Sequence, residues 1–124
     1  MFILPKKEIN YEEYVETLNE SPIFVSIVKN FDYERIGLQI LNNEEVVKEF
    51  TSYNQDGKIM KFEEGLNDPD FTARVEEETI KQLTSPKEQA WIEKHPMEAA
   101  IKYAGKIKLP FMVKLKLLKL LNKI

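Results

Sequence analysis

The sequence predicts an α+β domain with helices laid against one face of a sheet. Three observations carry that reading. Apolar spacing is helical at the start of the chain, switches to a period of two from about Glu34, and turns helical again after Glu76. Asn54-Gln55-Asp56-Gly57 is a strong hairpin turn, because Asp-Gly tolerates positive φ. The final stretch from His95 reads as a Pro-started helix, a Gly stop, a Lys-Ile-Lys-Leu strand and a Leu/Lys helix.

Tyr11, Tyr14, Val15 and Leu18 fall at i, i+3, i+4 and i+7, the stripe of an amphipathic helix. Ser21-Pro22 supplies an N-cap followed by Pro at the first helical position, and Phe24, Ile27, Val28 and Phe31 repeat the spacing. The first strand alternates Ile36, Leu38 and Ile40 with Gly37, Gln39 and Leu41, and Asn42-Asn43 turns the chain. A second strand runs from about Glu45 to Tyr53. After the hairpin a third runs from Lys58 to Glu63, with Met60 and Phe62 expected on one face. Gly65 and Asn67-Asp68-Pro69 break the chain. A fourth strand should turn Phe71, Ala73 and Val75 inward and Thr72, Arg74 and Glu76 outward.

Glu76-Glu77-Glu78 suits a helix N-terminus, where carboxylates meet the positive end of the dipole. Ile80 and Leu83 give that helix its apolar face. Ser85-Pro86-Lys87-Glu88 is a capping box opening a short helix with Ala90, Trp91 and Ile92. His95-Pro96 begins the next helix, which Gly105 ends at C′, and Ile107 and Leu109 make a short fifth strand. On the last helix Val113, Leu117, Leu118, Leu120, Leu121 and Ile124 share a broad apolar face, opposed by Lys116, Lys119, Asn122 and Lys123. Met112 and Leu115 fall on the lysine side, and Lys114 falls inside the apolar arc. Such a two-sided helix can pack with one face while its rim borders a pocket.

At 124 residues the chain fits one domain, residues 1–124, with length enough for a real core. It has no cysteine and one histidine, which excludes disulfides, thiolate chemistry and multi-histidine metal sites. The apolar run Met1-Phe2-Ile3-Leu4-Pro5 is too short for a signal peptide, and no stretch approaches the ~20 apolar residues of a membrane span. A cytoplasmic location is expected. Net charge is −3, but residues 1–100 sum to −10 while residues 101–124 carry seven lysines and no acid. That basic end would either meet an anionic membrane or acidic partner, or lie on the protein's own acidic surface. The acidic body argues against nucleic acid.

At these residues the chain resembles the sterol carrier protein 2 family of lipid-binding domains. The resemblance rests on Asp56-Gly57-Lys58 leading to Glu63-Glu64-Gly65, and on Asp68-Pro69-Asp70-Phe71-Thr72-Ala73-Arg74-Val75 before a Glu-rich helix start. It rests also on Pro96-Met97-Glu98-Ala99-Ala100 before Gly105-Lys106-Ile107-Lys108-Leu109, and on the Leu/Lys terminal helix. It spans residues 9–124. It implies a five-stranded, mostly antiparallel sheet covered on one face by helices, with a hydrophobic tunnel between them. It implies a non-enzymatic carrier of fatty acyl chains, sterols or similar lipids. The chain departs from the family at Leu109-Pro110-Phe111, where a Gly-containing turn is usual, and in a longer segment between Thr84 and His95.

Catalytic chemistry finds little support. His95 lacks an identifiable nucleophile or proton-bearing partner and reads as a helix-entry residue. The acidic clusters Glu63-Glu64 and Glu76-Glu77-Glu78 read as solvated charges, and the four glycines form no phosphate-cradling loop. No catalytic residue, metal or cofactor is expected. Trp91, Met97, Ile101, Phe111, Met112, Leu115 and Leu118 are expected to line a pocket for a hydrophobic small molecule, with Lys106 and Lys108 meeting its polar head. The alternative is a filled core of the same fold whose terminal helix docks on a partner or on a second copy of the chain.

Overall fold

The structure, a computed structural model, describes residues 11–122. Expectations falling on Met1–Pro5, Lys123, Ile124 and the Leu121 side chain lie outside the described residues. The chain runs α1 (Tyr11–Glu20), α2 (Pro22–Phe31), β1 (Arg35–Asn42), β2 (Glu45–Gln55), β3 (Lys58–Glu64) and β4 (Phe71–Glu76). It continues through α3 (Glu77–Leu83), α4 (Pro86–Lys94), α5 (Pro96–Ala104), β5 (Ile107–Lys108) and α6 (Phe111–Leu121). The α+β class and the five-stranded sheet stand as expected.

The sheet order is β3-β2-β1-β4-β5. β1/β2, β2/β3 and β4/β5 pair antiparallel, whereas β1 and β4 pair parallel. The sheet is therefore mixed. The reason is the connection after β3, which crosses β2 and β1 and delivers β4 to the free edge of β1. Thr51, fully buried on β2, fastens that crossing: its hydroxyl donates to Gly65 O at 2.7 Å and accepts from Asn67 N–H at 2.8 Å. Arg35 and Asp70 tie its far end, with Asp70 N–H donating to Arg35 O at 2.9 Å. Gly37 sits under the crossing, where a Cβ would lie 2.6 Å from Thr72 Oγ1 and 3.1 Å from Leu66 and Pro69. A side chain there would push the Thr72 hydroxyl aside and crowd Leu66 and Pro69.

Two strand expectations are corrected by bulges. Tyr53 pairs with Lys61 while Asn54 pairs with Ile59, so Met60 is an extra residue in β3. The alternation resets there. Ile59 and Phe62 face inward together, and Met60, expected beside Phe62, is 66% exposed. A second irregularity, where Ile40 pairs with Lys48 and Leu41 with Val46, leaves Val47 unpaired and Leu41 as deeply buried as Ile40. The hairpin itself is tight: Gln55 pairs with Lys58, and Asp56 and Gly57 take φ of 53° and 84°.

The helix caps follow the sequence in part. The hydroxyls of Ser21 and Ser85 accept from the backbone N–H of Phe24 and Glu88. The second half of the capping box does not form, because the Glu88 carboxylate is drawn to Lys102 and Tyr103. Gly105 closes α5 in a right-handed conformation (φ −84°), not the left-handed one expected of a C′ glycine. Two buried clusters result. One joins Ile40, Phe50, Val75 and Ile80 across the sheet and α3. The other joins Ile92, Ala99 and Tyr103 of α4 and α5, and Ile107 packs against both.

Candidate functional site

Between the sheet and the helices lies a part-open cavity of about 300 Å³. The sheet supplies one wall from Ile36 and Leu38 of β1, Ile59 and Phe62 of β3, and Phe71, Ala73 and Val75 of β4. This is the face that strand alternation, reset by the Met60 bulge, turns toward the helices. α2 supplies the largest share of the opposite wall, with Ile23, Phe24, Ile27, Val28 and Phe31. α3 adds Ile80 and Leu83, α4 adds Ile92, and α5 adds Pro96, Ala99, Ala100 and Tyr103. α6 adds Lys114 and Leu117, so both core clusters contribute to one wall around the space.

The lining is apolar apart from a few polar groups. The Ser21 hydroxyl is engaged as the α2 cap, Ser52 donates to Ile36 O at 3.3 Å, and Gln89 donates to Leu83 O at 2.6 Å. The Tyr103 hydroxyl donates a hydrogen bond to Glu88 Oε1 at 2.8 Å. Two polar groups stand apart. Asn54 Oδ1 is buried with no hydrogen-bond partner, while its Nδ2 reaches Tyr33 O only at 3.4 Å. Lys114 is the one charged side chain among the described lining residues, and its ammonium has no hydrogen-bond or ion-pair partner among them.

None of the residues expected to form the pocket lines this cavity. Trp91 is half-buried against the α4–α5 cluster, with the Lys102 ammonium 4.9 Å from its ring centroid. Met97 and Ile101 face outward on α5, 44% and 75% exposed. Phe111 and Met112 are each 72% exposed at the start of α6, Leu118 is exposed as well, and Leu115 is half-buried. Lys106 donates to Gln82 Oε1 at 3.2 Å, and Lys108 is exposed opposite Arg74 in the β4–β5 ladder. The physical reason is the rotation of α5 and α6. α5 turns Ala99 and Tyr103 inward, and α6 turns in Val113, Lys114 and Leu117, leaving the larger side chains outside. Sequence reasoning missed α2 as a wall because its apolar stripe reads equally well as filled core. The visible hint was Lys114, a charge inside the apolar arc of the last helix.

His95 is exposed between α4 and α5, with Nδ1 3.8 Å from Glu98. No group of three or more His, Cys, Asp or Glu side chains among the described residues is placed to hold a metal ion. No helix among them is long and apolar enough to cross a membrane.

No family model matches the sequence, and no curated protein matches it. Solved structures do match. Sterol carrier protein-2-like-3 of Aedes aegypti aligns over 94% of this chain and 97% of its own, at a TM-score of 0.50 and 15% identity. A Thermus thermophilus protein described as possibly a sterol carrier protein aligns over 94% and 89%, at 0.45 and 13%. Sterol carrier protein 2 of Yarrowia lipolytica, in its apo form, aligns over 90% and 86%, at 0.45 and 14%. The mosquito structure establishes a sterol carrier protein 2-like fold for this chain.

Proposed function

We propose that this protein is a non-enzymatic carrier that holds the apolar chain of a lipid in the cavity between sheet and helices. The supporting observation is the cavity's lining: nearly all aliphatic and aromatic, contributed by every helix and by one sheet face. Each buried methylene contributes about 0.8 kcal/mol, so an enclosed alkyl chain needs no polar chemistry to stay bound. No nucleophile, acid–base pair or reaction is invoked. The sterol carrier protein 2-like fold supports the same reading. The reading places a cytoplasmic protein at work between membranes.

Loading a lipid requires contact with its source, and α6 suits an anionic bilayer. Phe111, Leu115 and Leu118 fall at i, i+4 and i+7, outside the face that carries Val113 and Leu117. Lys116 and Lys119 flank them, and no Asp or Glu follows Glu98. A greasy stripe edged with cations favours a lipid surface of negative charge. A second copy docked on the same stripe would bring like charges together, which disfavours a dimer there.

Native mass spectrometry of gently purified protein, followed by solvent extraction, is expected to reveal co-purifying lipid. A clean apo mass with no uptake of a fluorescent fatty acid would reject the carrier. Sedimentation with vesicles containing phosphatidylserine should pull the protein down, and Phe111→Ser with Leu118→Ser should weaken this without unfolding it. Dimerisation abolished by Leu115→Asp, with no lipid uptake, would favour the interaction-module alternative.

A further inference from the structure

Lys114 lies among the otherwise uncharged, apolar residues that line the cavity, and no acid among the described residues pairs with it. We infer that Lys114 is the headgroup anchor of the cavity, selecting an apolar chain that ends in an anion over the same chain ending in a neutral group. This rests on the carrier reading above.

The neighbouring lysines are committed elsewhere. Lys102 sits 2.6 Å from Glu88, Lys106 reaches Gln82, and Lys116 lies 3.5 Å from the Tyr33 hydroxyl. Lys108 lies in the β5 ladder, away from the lining. Lys114 alone belongs to the lining, half-buried between Val113 and the inward-facing Leu117. A lysine can lay its methylene stem along apolar surface and keep its charged end at the margin. Its Nζ is not buried, so the stem lines the cavity and the ammonium stands at the margin with no counterion among the described residues. A carboxylate or phosphate on the guest would supply a charge-assisted hydrogen bond at that point. On the sheet side the lining carries no charge, and Asn54 Oδ1 is buried out of reach of the guest. A single cation on the α6 side of the lining thus orients the guest, anionic end toward α6.

Calorimetric titration with decanoate and decanol tests this, since the two share a chain and differ in the charge of the head. The wild-type protein should bind decanoate the more tightly. Lys114→Met, which keeps length and apolar bulk, should weaken decanoate about tenfold and leave decanol nearly unchanged. Lys114→Arg should keep the preference. Raising NaCl to ~0.5 M should weaken decanoate but not decanol in the wild-type protein, a reading that needs no variant to fold. Equal binding of the two by the wild type, or an equal loss of both in Lys114→Met, overturns the anchor and leaves the carrier intact. Binding of neither probe removes the carrier reading and the anchor together.

Discussion

Asn19 holds the backbone of Ile59 with both ends of its amide. Its Nδ2 donates to Ile59 O at 2.9 Å, and its Oδ1 accepts from Ile59 N–H at 2.8 Å. β3 is the outer strand of the sheet, and Ile59 stands immediately before the Met60 bulge. The last turn of α1 therefore satisfies strand groups that would otherwise be open to another chain. It also fixes the position of the inward-facing Ile59 in the cavity wall. Asn19→Ala should cost about 2 kcal/mol, near ~1 kcal/mol for each bond. Asn19→Asp should behave similarly at neutral pH, because a carboxylate cannot donate to Ile59 O. Urea unfolding of the two variants measures both, and a loss under about 0.5 kcal/mol in each would show that the edge holds without α1.

Thr51 makes the matching prediction for the other side of the sheet. Thr51→Val preserves shape but strands Gly65 O and Asn67 N–H, and should cost about 1–3 kcal/mol. Thr51→Ser keeps the hydroxyl and should cost less. Amide exchange at Asn67 should accelerate in the valine variant alone. Uniform protection in both variants would mean that Arg35 and Asp70 hold the crossing unaided.

How much of this was legible follows from where the information resides. Helices announced by Ser-Pro caps, and the Asp56-Gly57 hairpin, depend on neighbours in the chain and were readable from it. The parallel β1/β4 pair depends on a crossing held by Thr51, a contact between residues far apart in sequence. The Met60 bulge is set by Tyr53 and Asn54 on another strand, so a strict period of two mispaired Met60 with Phe62. The residues expected to line a pocket lie outside the described cavity for a related reason. Bulk and hydrophobicity point the large apolar residues of the tail inward, but small Ala99 and Ala100 leave room inside while Ile101 and Phe111 stay out. A cavity is defined by what is missing, and small residues signal it more than bulky ones do.

Glu88 joins α4 to α5 through one oxygen, which receives Lys102 Nζ at 2.6 Å and the Tyr103 hydroxyl at 2.8 Å. The hydrogen bond from Lys102 holds its carboxyl below the usual 4.5, with Tyr103 assisting and burial opposing. A depressed folded pKa means stability present above the unfolded value and lost as pH falls through the folded one. Burial first, and then the bond to Glu88, raise the Tyr103 phenol above its ordinary 10. That contribution is complete below pH 10 and declines above it. Thermal unfolding should therefore show Tm falling below pH 4.5 and again above pH 10. Glu88→Gln should flatten part of the acid limb and cost about 1–2 kcal/mol at pH 7. An unchanged acid limb in that variant would assign the acid loss to other carboxylates.

Ala99 offers the most direct reading of whether the space between the layers is empty in solution. It is 5% exposed, lies on α5 within the Ile92–Tyr103 cluster, and borders the cavity. Enlarging a residue in a solid core forces neighbours off their rotamers and costs about 1–3 kcal/mol. Enlarging one beside a hollow lets the new methylenes bury themselves, at about 0.8 kcal/mol gained for each that fits. Ala99→Leu should therefore hold or raise Tm while abolishing decanoate uptake, since the added side chain occupies the guest's space. The paired sign is what discriminates. A lower Tm would indicate that the helices have already closed on the sheet. A higher Tm with undiminished uptake would place the guest elsewhere, on the outer face of α6 that carries Phe111 and Leu118.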